Sequence, residues 1–177
     1  YEATAQIGWE TETGDLEGEK IGETPIAQAP ENAWKVAIAQ FQGEIMQVPP
    51  IYSALKVKGR RLYDYARAGE AVEIKPRPVK IHSLELLEHL PETVSFRCEC
   101  GGGTYVRTLA EDWAKAAGTK AYLSALRRLA AGSFSIEASH RLEDLLQMPR
   151  ETLPNLVSIK AALAHLPQVL CDPEMVK

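Results

Sequence analysis

Several features that this chain lacks narrow its class. No run of apolar residues approaches the roughly 20 that cross a bilayer as a helix. There are only three cysteines, an odd number, so the sequence offers no disulfide framework. No internal repeat or low-complexity tract is visible either. The composition, with 45% hydrophobic and 25% charged residues, is ordinary for a globular protein. A length of 177 residues fits one domain, or one domain with a short appendage.

The spacing of the cysteines and histidines does not predict a metal site. Cys98 and Cys100 lie in Val94–Cys100, where apolar and polar residues alternate, so both thiols are predicted on the apolar face of one strand. No further Cys or His follows at a ligand spacing, and the four histidines are scattered. We therefore predict buried free thiols, a reducing cytoplasmic compartment, and neither a metal nor an organic cofactor.

Positive charge is scarce overall, since the net charge is −4, but it is concentrated between residues 56 and 80. This segment holds eight Lys or Arg against three Asp or Glu, a net charge of +5. Tyr63 and Tyr65 are interleaved with the cations. Phosphates attract cations and unstacked bases stack on aromatic rings, so this pattern is typical of an RNA-binding segment. A solvated, charge-laced helix and loop would have the same composition.

Three glycines, Gly101–Gly103, separate a predicted strand from a helix that is predicted to begin at about Tyr105. Glycines permit positive φ and close approach of another backbone or a ligand. They therefore deliver Tyr105 and Arg107 to a strand-to-helix junction, where side chains can converge on a pocket. No Gly-Lys-Ser/Thr follows, which excludes a phosphate-binding P-loop. The alternative is a tight turn with an exposed Tyr and Arg.

Hydrophobic periodicity predicts both strands and helices. Alternation predicts a strand at residues 3–9 and a hairpin formed by 79–87 and 93–100. Helical spacing predicts one helix around Trp34, one around Tyr65 and one over residues 105–117. It also predicts a helix that contains Leu123, Leu126, Leu129 and Ala130, and two helices between His140 and Leu166. The irregular order of strands and helices predicts an α+β domain and not a repeated βαβ unit.

Four segments form a co-linear set of motifs. They are Tyr1 with residues 7–18, Gln47–Lys56 continuing to Gly69, Gly103–Asp112, and Ala125–Leu129. In order and spacing the set resembles the motifs of bacterial tRNA pseudouridine synthases of the TruB type, over about residues 1–146. The resemblance implies a pseudouridine-synthase-like fold, a mixed and mainly antiparallel sheet flanked by helices.

The resemblance also implies an activity. Enzymes of this family flip the T-arm uridine 55 of tRNA out of its stack and isomerise it to pseudouridine, rejoining the base through carbon. Position by position, Tyr1 resembles the tyrosine that stacks on the flipped base, and Tyr105 a second pocket tyrosine. Arg107 resembles the arginine that pairs with the catalytic carboxylate, and Leu126 the apolar wall under the base. These residue types suit the chemistry, because an aromatic ring replaces lost stacking and a fixed guanidinium keeps a carboxylate ionised.

For substrate binding, the resemblance implies an RNA-contacting insertion over residues 49–78 that recognises the T stem-loop of tRNA. The residues expected to contact RNA are Tyr52, Lys56, Lys58, Arg60, Arg61, Tyr63 and Arg67.

One departure from the family limits the expected activity. The nucleophilic aspartate of the family lies in a Gly-x-Leu-Asp-Pro motif ahead of the opening tyrosine, and that motif is absent from these 177 residues. We therefore expect a fragment, with a partial catalytic domain over 1–148 that is incomplete at its N-terminus. Residues 149–177 are expected to form a helical tail leading toward a missing PUA-type domain. Such a chain is expected to be inactive alone, and the missing N-terminal portion, as a separate chain, is a candidate partner.

Two other functions remain compatible with the sequence. A non-catalytic tRNA-binding or tRNA-folding module would use the same cations and tyrosines without chemistry. A degenerate structural domain would bind no tRNA even in low salt. Salt dependence does not separate an enzyme from a binding module, because both contact phosphates, whereas product formation does.

Overall fold

An antiparallel sheet organises the first part of the chain in the computed structural model, which describes residues 1–25, 29–152, 154 and 156–167. One compact unit spans Tyr1–Arg127, and a second begins at Arg128. The domain division that the sequence predicts after residue 148 stays a prediction. Among the described residues, no helix combines the length and the apolar character needed to cross a membrane.

The strands are β1 (Glu2–Ile7), β2 (Trp9–Thr11), β3 (Lys20–Glu23), β4 (Gly43–Gln47), β5 (Lys56–Val57), β6 (Arg60–Arg61), β7 (Arg77–His89), β8 (Thr93–Cys100), β9 (Ala121–Arg127), β10 (Ala130–Ala131) and β11 (Phe134–Ser135). The helices are α1 (Glu31–Ala37), α2 (Leu62–Arg67), α3 (Val106–Ala116), α4 (Leu142–Gln147) and α5 (Ile159–Ala162). Five strands pair antiparallel in the order β4–β7–β8–β1–β9, and β2–β3, β5–β6 and β10–β11 form separate hairpins.

Aromatic side chains join the sheet to the helices on one of its faces. Trp113 of α3 packs edge-to-face on Trp34 of α1, with ring centroids 5.0 Å apart, and on Phe96 of β8 at 5.5 Å. The Trp113 indole also donates a hydrogen bond to the Trp34 carbonyl, at 2.9 Å. All three side chains are fully buried. Because edge-to-face pairs stabilise beyond the area that they bury, this cluster fixes α3 against the sheet.

The structure confirms the predicted α+β class, with a mainly antiparallel sheet flanked by helices. The predicted hairpin of residues 79–87 and 93–100 is β7–β8, and Cys98 on its second strand is buried. Helix α3 matches the helix predicted over 105–117. Gly118 follows its end with φ +88°, a left-handed conformation that glycine adopts without strain.

The helix predicted through Leu123 and Leu126 is wrong, because these residues lie in β9. Leu123 pairs with Ala5 and Leu126 pairs with Ala3, while Ala125 pairs with Thr4. Ser124 is therefore an extra residue, a β-bulge, between two regularly paired stretches. The bulge puts two leucines three residues apart on the same sheet face, which imitates helical spacing.

The second unit contains short elements. Its β10–β11 hairpin is followed by α4 and α5, which confirms the two helices predicted between His140 and Leu166. Within the unit, the Ile136 amide donates to the Leu129 carbonyl at 2.7 Å. Cys171 lies outside the described residues.

Candidate functional site

The first turn of α3 is fixed to the end of β4 by one buried glutamine. The Gln47 side chain is 2% exposed. Its Nε2 donates to the Tyr105 carbonyl at 3.1 Å, and its Oε1 accepts from the Tyr105 amide at 2.8 Å. Both backbone groups of the residue that precedes α3 are thereby satisfied away from water. The sequence motif contains Gln47, but its partner 58 residues away could not be read from it.

Arg107, in the first turn of α3, ties three segments together. Its Nη1 donates to the Thr13 carbonyl at 2.8 Å and to Asp15 Oδ2 at 2.7 Å. Its Nη2 donates to the Tyr52 carbonyl at 2.9 Å. A guanidinium has five N–H donors, so among the described residues these bonds leave one Nη2 proton and the Nε proton without an acceptor. Arg107 is a fixed cation that can still bind an anion.

Asp15 is itself held in a tight turn. Its Oδ1 accepts hydrogen bonds from the Thr13 hydroxyl at 2.6 Å and from the Glu17 amide at 3.1 Å. The turn also extends the sheet edge, because the Leu123 amide donates to the Gly14 carbonyl at 3.0 Å. With the bond from Arg107, the Asp15 carboxylate accepts three hydrogen bonds. No local sequence pattern links Asp15 to an arginine 92 residues away, so its role could not be predicted.

Arg107 and Leu126 line the same depression, which has a volume of about 340 Å³. Asp15 and Leu123 contribute to its wall, and Leu126 is 50% exposed there. Leu126 also lines a neighbouring depression of about 300 Å³ beside Ala3. The structure thus brings together two of the four predicted catalytic residues, a fixed cation and an apolar surface.

Tyr1 and Tyr105 are absent from the lining of this depression. The Tyr1 amino group donates to the Cys98 carbonyl at 2.8 Å, and the Cys98 amide donates to the Tyr1 carbonyl at 2.9 Å. Because Ala3 pairs with Leu126, and alternate residues of a strand share a face, Tyr1 and Leu126 lie on the same sheet face. The half-buried Tyr1 packs against the hydrophobic core there.

One turn beyond Arg107 on α3, Glu111 is a partly buried carboxyl. Burial raises the pKa of the Glu111 carboxyl to about 7, with Asp112 and Glu10 adding to the rise and Lys115 and Arg107 opposing it. Gly14 of the Asp15 turn sits directly on it, so that a Cβ at position 14 would overlap Glu111 Oε1. Sequence analysis did not identify this contact.

Six of the seven predicted RNA-binding residues lie on the β5–β6 hairpin and on α2, and Tyr52 lies in the loop before the hairpin. At the turn, Lys58 and Gly59 both have positive φ, +51° and +83°, as the tightest two-residue hairpins require. Lys56 pairs directly with Arg61 across the two strands. Like charges placed directly opposite each other destabilise a strand pair, so the hairpin presents cations at a cost to its own stability.

Five of the seven predicted contacts have partners within the protein, namely Arg60, Tyr52, and Tyr63 with its two flanking arginines. Arg60 forms an ion pair with Glu70 at 2.8 Å, donates to the Asp64 carbonyl at 2.7 Å and lies over the Tyr65 ring. The Tyr52 hydroxyl donates to Glu12 at 2.6 Å, and this hydrogen bond raises the pKa of Tyr52.

The third engaged residue, Tyr63, is flanked by two arginines. Arg61 donates to its hydroxyl at 2.6 Å, and Arg67 lies 5.2 Å from its ring centroid. Lys56, Lys58, Arg61 and Arg67 are exposed. Within the described ranges, no group of three or more His, Cys, Asp or Glu side chains could hold a metal ion.

Comparison with known families accounts for nearly all of the chain. Residues 1–106 match the N-terminal domain of the TruB family pseudouridylate synthases, and residues 107–164 match the C-terminal domain of tRNA pseudouridylate synthase B. The boundary between the two matches falls at the first turn of α3.

Individual relatives agree with the family match. The chain is 47% identical over 181 residues to the tRNA pseudouridine synthase B of Chromobacterium violaceum, covering 100% of this chain and 58% of that protein. It is 44% identical over 173 residues to that of Aromatoleum aromaticum, covering 97% and 56%. The chain therefore spans a little more than half the length of these curated relatives.

Two solved structures share its architecture. A crystal structure of a Cbf5-Nop10-Gar1 complex matches with a TM-score of 0.57 and 28% identity, covering 82% of this chain and 34% of that one. The structure of an H/ACA RNP bound to a substrate RNA containing 2'-deoxyuridine matches with a TM-score of 0.51 and 25% identity, covering 82% and 32%. By its matched domains and its relatives, this chain belongs to the TruB family of pseudouridylate synthases.

Proposed function

We propose that this chain provides the base pocket and the RNA-binding surface of a tRNA pseudouridine synthase that isomerises the T-arm uridine 55 of tRNA. We further propose that the chain is inactive alone and needs a carboxylate from the N-terminal portion that carries the Gly-x-Leu-Asp-Pro motif of the family. Its RNA partner is the T stem-loop.

The main support for the proposal is the Arg107 guanidinium, which is held by hydrogen bonds and lines a depression together with Leu126. Two of its N–H donors are without an acceptor among the described residues, so a second carboxylate can pair with it beside Asp15. A cation in this position favours the ionised form of that carboxylate. The apolar wall supports a detached base and excludes water from it.

Neither aspartate near the motifs is placed as a free nucleophile. Asp15 accepts hydrogen bonds from Arg107, Thr13 and Glu17. Asp112 is five residues after Arg107 on α3, and is therefore rotated by about 140° around the helix axis. It lies 3.8 Å from Lys115. These positions support inactivity of the chain alone.

The cationic hairpin supports RNA binding. Lys56 and Arg61 are held opposite each other with no carboxylate between them, an arrangement that a phosphate backbone relieves. A second candidate function, a tRNA-binding or tRNA-folding module without chemistry, draws on the same observation. Formation of product separates the two functions.

The test is release of the C5 hydrogen isotope from a T-arm hairpin that carries labelled uridine. The chain alone is expected to give no release, whereas the chain mixed with a separately made N-terminal polypeptide carrying the Gly-x-Leu-Asp-Pro motif is expected to give release. Arg107→Gln should abolish the reconstituted release. The matched control Arg97→Gln should retain it, because Arg97 pairs with Glu2 and Glu85 at the sheet surface.

Each other outcome selects a different function. Release by the chain alone would refute inactivity, and Asp15→Asn and Asp112→Asn would then identify the nucleophile. Hairpin binding without release in the mixture would favour the non-catalytic module. Absence of hairpin binding in low salt would refute both functions.

A further inference from the structure

A groove of about 450 Å³ lies between the β5–β6 hairpin and the extended segment of residues 71–77. Val57 and Tyr65 line it from the hairpin and α2, and Val72 and Ile74 line it from the extended segment. The Tyr65 hydroxyl donates to the Val57 carbonyl at 3.2 Å, which fixes the aromatic wall. The volume falls in the range of about 300–1,000 Å³ that is typical of small-ligand sites.

Four cations also line the groove, namely Lys56, Lys58, Lys75 and Arg77. The acidic residue in the lining is Glu73. Among the described residues, none of the four cations forms an ion pair, whereas Arg60, Arg97 and Arg107 all do. In a chain of net charge −4, four cations against one carboxylate around one groove favour an anionic ligand.

We propose that this groove binds one nucleotide of an RNA strand, with the phosphate at Lys75 and Arg77 and the base against Tyr65 and Ile74. The proposal rests on the proposed function, because the hairpin that forms one wall is the element assigned to tRNA. A nucleotide matches both features of the groove, since its phosphate carries charge and its base presents a flat apolar surface. An acidic peptide side chain supplies the charge without that surface. Lys75 and Arg77 thereby join the RNA-binding residues.

Titration of the whole chain with a short oligouridylate tests the groove directly. The methyl resonances of Val72 and Ile74 are expected to shift in a saturable manner. The variant Lys75→Gln/Arg77→Gln is expected to weaken binding. It should also reduce the slope of log K against log salt by about 0.7, the contribution of the one phosphate that the two cations share on a single strand. The control Arg150→Gln/Lys160→Gln removes one arginine and one lysine that are exposed and absent from the groove lining, and it should leave both values unchanged.

A second variant tests the shape of the groove without changing its charge. Ile74→Trp fills the groove and should weaken oligouridylate binding at least fivefold, with an unchanged salt slope and an unfolding midpoint close to that of the parent chain. If polyglutamate displaces the oligouridylate equally well, the groove is a general anion site and the proposal fails.

The two proposals fail separately. The chain could still bind the T-arm hairpin and support isotope release while the Val72 and Ile74 methyl resonances do not shift. That result would refute nucleotide binding in the groove and leave the isomerase function intact. Saturable shifts without isotope release in the reconstituted mixture would support nucleotide binding in the groove and refute the isomerase function.

Discussion

Arg107 donates a hydrogen bond to Asp15 at 2.7 Å across 92 residues of sequence. The same guanidinium holds the Tyr52 carbonyl, so the acidic turn, the loop before the cationic hairpin and the first turn of α3 meet at one side chain. Arg107 therefore has a structural role in this chain in addition to the catalytic role implied by the family. Variants at Arg107 alone would mix the two roles, so the partners around it give the cleaner tests.

Asp15→Ala should destabilise the chain by about 1–3 kcal/mol, because it leaves a partly buried guanidinium and two other donors without their acceptor. Urea unfolding followed by circular dichroism measures the change. The control is Glu31→Ala, which removes an ion pair to Lys35 whose side chains are 52% and 58% exposed. That change should cost at most about 0.5 kcal/mol. Equal costs for the two variants would contradict a structural role for Asp15.

Gln47→Glu tests the connection between β4 and α3. A carboxylate cannot donate to the Tyr105 carbonyl and loses its hydration on burial, so the expected destabilisation is about 1–3 kcal/mol. Gln42→Glu, at an exposed position five residues before Gln47, should change stability little. Urea unfolding compares the two variants, and a Gln47→Glu midpoint equal to that of Gln42→Glu would show that this anchor is dispensable.

Sequence alone predicted elements whose signal is local. The apolar stripe of α3 and the alternation of β7 and β8 each specify one element, and the structure contains all three. Strand β9 was missed because the bulge at Ser124 gives Leu123 and Leu126 a helical spacing, and only the pairing with β1 reveals it. Tertiary pairing here overrides local periodicity.

The site was predictable in its residue types and not in its connections. Resemblance to the family singled out Arg107 and Leu126, and the structure places them in one depression. No sequence pattern indicated that Asp15 pairs with Arg107 or that Gln47 holds Tyr105, because these contacts join segments 92 and 58 residues apart. The predicted roles in catalysis and RNA binding stay predictions.

Glu111 should make stability depend on pH. Its pKa is about 7 in the folded chain against an ordinary value of 4.5, so the folded state binds its proton more tightly than the unfolded state does. Its stabilising contribution is therefore fully present below about pH 4.5 and is lost as the pH rises through about 7. Glu111→Gln should flatten this loss between those values. The control Glu88→Gln, at an exposed position, should retain the parent dependence. Parallel profiles for Glu111→Gln and the parent would contradict the prediction.

Gly14 tests how closely the Asp15 turn approaches α3. Gly14→Ala should cost about 1–2 kcal/mol from its left-handed backbone, with an added cost because the new Cβ displaces the Glu111 carboxyl. Gly59→Ala is matched for backbone conformation, with φ +83°, but it has open space around the new Cβ. The excess cost of Gly14→Ala over Gly59→Ala should disappear in a Glu111→Ala background. An excess that persists there would place the obstruction elsewhere.

Arg60 and Arg61 are adjacent in sequence and should behave differently. Arg60 binds Glu70, the Asp64 carbonyl and the Tyr65 ring, so Arg60→Gln should lower the unfolding midpoint. Arg61 lies opposite Lys56 in the hairpin and donates to the Tyr63 hydroxyl. Arg61→Gln removes a repulsion together with one exposed hydrogen bond, so the unfolding midpoint should change little.

Binding to the T-arm hairpin should separate the same two variants. Arg61→Gln should weaken binding and reduce the salt slope by about 0.7–0.9, the contribution of one phosphate contact. Arg60→Gln, measured well below its unfolding midpoint, should keep the slope of the parent chain because Arg60 is neutralised by Glu70. Thermal unfolding and fluorescence titration at several salt concentrations provide both values. A reduced slope for Arg60→Gln with an unchanged midpoint would reverse the assignment, making Arg60 the phosphate contact.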